Sequence, residues 1–179
     1  GSGLVGSEMC IRDRVWCYDR DILTIAAERI GNEELTEDTI NDLNYKRNDV
    51  ASAGITGVMG MGNIPIYNQM FLEQAKIIRK LANYGSAVFL GRCADYILKD
   101  IKNCTSVYLY ADREFRKNRV KEIYGSNAEI MDKEEKNRAD YYNYYTGNRW
   151  GDINNYDFAI NTSKVSFEEA ADLIYRFAK

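Results

Sequence analysis

Histidine is absent from all 179 residues. That removes the Ser-His-Asp and Cys-His nucleophile systems, the H-E-x-x-H metal sites and histidine as general base. The four cysteines, Cys10, Cys17, Cys93 and Cys104, form no C-x-x-C pair. A chain of this size does not need disulfide staples, so they read as free thiols. No apolar stretch approaches the roughly 18 residues that cross a bilayer, and no charged-then-apolar leader opens the chain. The expectation is a cytoplasmic protein with no membrane partner. A net charge of -3 gives no electrostatic reason to expect a nucleic acid polymer. An enzyme with this alphabet must work with Arg, Lys, Asp, Glu and Tyr. Phosphoryl transfer fits, because there the protein mainly positions groups and neutralises charge.

What is present is a globular composition, 45% hydrophobic and 28% charged, of a length that suits one domain over 1–179. No internal repeat, linker or low-complexity segment interrupts it. "RDILTIAAERI", 20 to 30, has apolar residues at helical spacing and stops at Gly31. A second helix start is expected at Thr36, with Glu37 and Asp38 in its first turn. "NDVASAGITGVMGMGNIP" holds Gly54, Gly57, Gly60 and Gly62, but without the following Gly-Lys-Ser/Thr it reads as a mobile loop rather than a phosphate cradle. Pro65 suits the first turn of a helix running to about Tyr84, with Gly85 as its stop.

Beyond Gly85 the elements alternate. Ala87 to Leu90 reads as a strand buried on both faces. A short helix is expected near 94–99, a strand at 106–110, and a helix capped by Asp112 and running to Tyr124. A further helix covers about 128–145, a strand 156–161, and a last helix starts at Ser166 with Glu169 completing a capping box. Strands separated by helices imply parallel pairing and a three-layer α/β domain.

Arg92 stands at the exit of the 87–90 strand, where open α/β sheets place ligands; the alternative is the first solvated residue after a core strand. Arg113, Arg116 and Arg119 lie on one helix, and Arg116 and Arg119 can share a face. Lys133, Lys136 and Arg138 are interleaved with Asp132, Glu134, Glu135 and Asp140, as in a solvated face laced with weak ion pairs. Two of these cation groups nonetheless follow parallel strands, and arginine suits phosphate because its fork donates two hydrogen bonds to one anion.

From about Tyr67 onward, "FLEQAKIIRKLANYGSAVFLGRCADYIL", "VYLYADREFRKNRV", "NRADYYNYYTGNRWGD" and "NYDFAINTS" resemble the cytidylate kinase-like family of P-loop nucleoside monophosphate kinases. "YDRDILTIAAE" resembles the handover from the family's second strand to the acceptor-binding region. The resemblance implies an α/β/α parallel sheet of that type. It makes Arg92 a ligand of the acceptor phosphate, Asp95 its neighbour, and Asp19 and Arg20 the border of the same pocket. Arg116 and Arg119 would begin a lid arm within about 126–150, Glu135 and Arg138 would be a pair that closes on the nucleotide, and Lys133 and Lys136 would be further lid cations. Catalysis would fall to Arg92, Arg119 and Arg138. The "YYNYY" cluster either stacks on a base or packs internally.

The start departs from the family. Gly1, Ser2 and Gly3 resemble the remnant of a donor phosphate loop, but Leu4 and Val5 stand where a further glycine and a basic residue are expected. "SEMCIRDR", 7 to 14, resembles a translated sequencing adapter, so residues 1–14 read as a non-native start, with the central first strand degraded or absent. The implied reaction moves the terminal phosphoryl group of ATP, with Mg2+, to CMP or dCMP, impaired here by the lost loop. The alternatives are a non-catalytic nucleotide-binding domain and a small-molecule kinase with another acceptor. No metal-ligating side chains are assigned, and the oligomeric state is unknown.

Overall fold

The computed structural model describes residues 2–31, 65–125 and 128–178. The expected helix at Thr36 and the loop through Gly54, Gly57, Gly60 and Gly62 lie outside them, as does Gly1. The chain forms helix α1 (Ser2–Asp13), strand β1 (Trp16–Tyr18), α2 (Asp21–Ile30), α3 (Ile66–Ala82), β2 (Ala87–Phe89) and the short α4 (Ala94–Ile97). There follow β3 (Val107–Tyr110), α5 (Arg113–Tyr124), α6 (Ala128–Thr146), a 3-10 turn at Ile153–Asn155, β4 (Phe158–Asn161) and α7 (Phe167–Phe177).

The local rules account for most boundaries. α2 buries Ile22, Leu23, Ala26 and Ala27 on one stripe and stops at Gly31, whose φ of 64° lets its N–H reach the Ala27 carbonyl. Pro65 stands just before α3, not in its first turn, and its carbonyl accepts from the N–H groups of Asn68 and Gln69. Ser166 and Glu169 form the expected capping box. Asp112 holds the N-cap position of α5 without capping it. Its Oδ1 accepts from the Asn161 side chain at 3.2 Å and its N–H donates to Ser163 Oγ at 2.6 Å, so contacts from the end of β4 orient it instead.

The strands pair in parallel, as alternation with helices requires. β1 pairs with β2, Trp16 opposite Ala87 and Tyr18 opposite Phe89, while β3 pairs with β4, Val107 opposite Phe158 and Tyr110 opposite Asn161. Among the described residues these are two separate two-stranded sheets. Among the described residues no strand joins β2 to β3 into the single sheet expected from the sequence. β2 is consequently half-buried rather than sealed on both faces.

Each pair carries its own core. Beneath β1–β2, α2 and α3 pack with α4 and with Tyr141 and Tyr142 of α6. Beneath β3–β4, Ile160 meets Ala170, Ala171 and Ile174 of α7 and Val5 of α1. α1 touches both: Val5 is 1% exposed in the second core, and a Cβ on Gly6 would lie 2.8 Å from Leu90 Cδ2 beyond β2.

Candidate active site

The turn after β2 is built against backbone preference. Gly91, Arg92 and Cys93 have φ of 68°, 58° and 55°, so three successive residues are left-handed and two of them carry a Cβ. Each such non-glycine residue costs roughly 1–2 kcal/mol, and strain of this kind gathers at functional sites. The turn folds Arg92 inward. Its side chain is 2% exposed, which rules out the reading of Arg92 as a solvated residue after the strand. Its charge acts on the Tyr141 hydroxyl and the Cys93 thiol. Burial pushes both of those groups upward, and Gln74 of α3 faces the same Tyr141 hydroxyl. Cys93 is thus a neutral packing residue, and the four cysteines are free thiols.

Asp95, in the first turn of α4, is largely buried. Desolvation raises its carboxyl above the usual range, against a Tyr142 hydroxyl that donates to Oδ2 at 2.6 Å and backbone N–H groups that favour the charged form. Tyr142 is also in hydrogen-bond contact with Tyr156, ahead of β4. Asp19 and Arg20 follow β1 directly. Since the Leu90 N–H donates to the Tyr18 carbonyl at 2.9 Å, they emerge at the same carboxyl end as Gly91 and Arg92. The structure therefore brings Asp19, Arg20, Arg92 and Asp95 to one sheet edge.

The expected lid residues divide. Arg116 of α5 pairs with Glu135 of α6 at 2.6 Å, and Arg113 pairs with Asp132 at the same distance, so two ion pairs join the helices. Glu135, expected to close on the nucleotide together with Arg138, is engaged by Arg116 in this structure. Both charges of the Arg116–Glu135 pair act on the Tyr108 hydroxyl, whose ring stacks on Tyr156 at 4.9 Å. With about 3.6 residues per turn, Glu135, Arg138 and Tyr142 share one face of α6, while Lys133 and Lys136 turn away from it. Both lysines are exposed, and Lys136 lies 3.9 Å from Asp140 on its own helix. The reason is register: the face that meets Asp95 is set by Tyr142, and the lysines are out of phase with it.

The tyrosine cluster packs. Tyr141 and Tyr142 are buried, Tyr145 stacks on Phe71 at 4.1 Å and donates to Asn68 Oδ1, and only Tyr144 of the four is exposed. Tyr142 is the site residue that the sequence reading passed over. Its signal was there, one turn after Arg138 on the same face, but nothing in the sequence named its partner 47 residues away.

A cleft of about 390 Å³ opens elsewhere, at the carboxyl ends of β3 and β4, between Phe115 and residues 162–167. Arg119 lies with its guanidinium 4.3 Å from the Phe167 ring centre, a cation–π contact at the cleft wall. Ser2 and Gly3 are the first residues of α1, a helix rather than a loop, because the hydrogen-bonded turn continues into Val5 and its core contact. A helix start of this length presents N–H groups suited to a phosphate. Among the described residues no three acidic or cysteine side chains gather into a metal-binding group, and no helix is long and apolar enough to cross a membrane.

A crystal structure of an uncharacterized protein from Eubacterium ventriosum ATCC 27560 superposes with a TM-score of 0.70 at 26% identity, covering 99% of this chain and 92% of that one. No curated protein matches. The model of the cytidylate kinase-like family matches residues 3–164, a span that holds Arg92, Asp95, the α5–α6 ion pairs and Tyr142. The chain belongs to the cytidylate kinase-like family.

Proposed function

We propose that the chain is a nucleoside monophosphate kinase-like phosphotransferase that moves the terminal phosphoryl group of ATP to the phosphate of CMP or dCMP. The observation that carries this is the Arg92–Asp95 turn: a buried guanidinium and a half-buried carboxylate that follows left-handed backbone at the carboxyl end of parallel strands. In this reading the two strand pairs are the flanks of a three-layer α/β/α sheet of the P-loop kinase type.

The acceptor supplies its own nucleophile. A phosphate monoester has a second pKa of about 6, so its oxygen is ionised at neutral pH and needs no general base. That suits a chain without histidine. The protein's work is to hold two anions in line and offset their repulsion. Arg92 would hold the acceptor phosphate, and Asp95, bordered by Asp19 and Arg20, would take a donor group of its base or sugar. Arg138, on the Tyr142 face of α6, would act on the transferring group, with Arg119 and the Phe115–Phe167 cleft on the donor side. The α1 N-terminus would meet donor phosphates, and Mg2+ would arrive on their oxygens and neutralise charge there. This donor grip is weakened, because Val5 is turned into the core and Leu4 brings no charge.

Calorimetric titration with CMP and with Mg-ATP, followed by an ADP-release assay over a panel of nucleoside monophosphates, tests the proposal. CMP binding with weak ATP binding and slow, CMP-dependent ADP release is expected. A folded chain that binds no CMP overturns the acceptor assignment, preference for another acceptor overturns the specificity, and tight ATP binding overturns the weakened donor site.

A further inference from the structure

We infer that Tyr142 is a positioning residue for Asp95, holding its carboxylate ionised and aimed so that its remaining acceptor capacity meets a donor group of the bound nucleotide. The inference rests on the acceptor reading above and names a residue that the reading does not require.

An ionised carboxylate offers about four acceptor sites. The Tyr142 hydroxyl takes one on Oδ2, and the backbone N–H groups of Tyr96 and of Asp95 itself also donate to the carboxylate. Capacity remains for a further donor, such as an exocyclic amine or a sugar hydroxyl. Tyr142 is itself buried, and its ring is fixed in the first core, so the direction of its O–H is set before any ligand arrives. Tyr156 and Cys104 lie within electrostatic reach from the segments before β4 and β3, and Cys93 does so from the same turn. Against that burial, the Tyr142 hydroxyl is the side-chain donor that favours the charged form. Tyr156, in contact with Tyr142 and stacked on Tyr108, extends the arrangement toward the Arg116–Glu135 pair.

The test separates this role from simple packing. Tyr142→Phe keeps the ring and removes the O–H. A carbon-detected NMR titration of the Asp95 carboxyl, without nucleotide, is expected to move upward by roughly one pH unit, equivalent to a tenfold change in the charged fraction. CMP affinity, measured by calorimetry across pH, is expected to fall off at a pH higher by the same interval. Asp95→Asn removes that pH-dependent fall, and adding Tyr142→Phe to it brings no further movement. A wild-type Asp95 titration unmoved in Tyr142→Phe overturns the inference, as does CMP binding indifferent to Asp95→Asn. Should Tyr142→Phe fail to fold, Tyr156→Phe decides, with a smaller upward shift expected and none refuting. If the wild type binds no CMP, the acceptor reading falls and with it the role in acceptor binding, while the NMR titration still reports separately whether Tyr142 governs Asp95.

Discussion

Arg92→Lys isolates what the guanidinium fork contributes. Lysine keeps the positive charge, a comparable stem and the same Cβ, so the cost of holding φ at 58° is common to both residues and cancels. What changes is the planar fork, which donates two parallel hydrogen bonds to one phosphate where an ammonium acts as a point charge. Losing one charge-assisted hydrogen bond costs about 1.5–3 kcal/mol. At 1.4 kcal/mol per factor of ten this is roughly a 10- to 150-fold weaker CMP complex. The side chain is 2% exposed, so solvent offers little compensation. Calorimetry with CMP measures the loss, and thermal melting checks that the variant keeps its fold. Unchanged CMP affinity in a folded Arg92→Lys protein would refute the argument, because a buried fork that met the phosphate would not tolerate the exchange.

Arg138→Ala is expected to lower kcat by roughly 100-fold with little change in CMP affinity; steady-state kinetics with normal turnover would remove Arg138 from the transferring group. Val5→Ala strips two methyl groups from a side chain that is 1% exposed. It should destabilise the protein by about 1.5–3 kcal/mol in urea, and no change would show that α1 is not part of the second core. Asp157 accepts from the N–H and Oγ of Ser106, both at 2.8 Å, which hold its carboxyl below the usual range. With the folded pKa depressed, the stabilisation is present above the ordinary carboxylate value and is lost as pH falls through the folded one. Asp157→Asn should therefore be less stable at neutral pH, by under about 1 kcal/mol after solvent screening. The difference should close at strongly acid pH, and urea melts showing a constant gap would contradict this.

The sequence by itself determined most of the described elements from α2 onward and their type, though not the helix at Ser2–Asp13. Gly31 after a helical stripe and the Ser166–Glu169 box are local signals, decided within one turn of chain, and they appear in the structure where local chemistry places them. The alternation that demanded parallel strands was equally legible, as was the grouping of Arg92 and Asp95 within four residues. Tertiary structure decided what local signals cannot carry. The pairing of β1 with β2 and of β3 with β4 among the described residues depends on which edges find partners, a long-range matter. The burial of Arg92 depends on three left-handed residues that only surrounding packing can hold. The pairing of Arg116 with Glu135 depends on how α5 lies against α6. The hydroxyl of Tyr142 found Asp95 across 47 residues because α6 presents one face, and not its lysines, to the turn after β2.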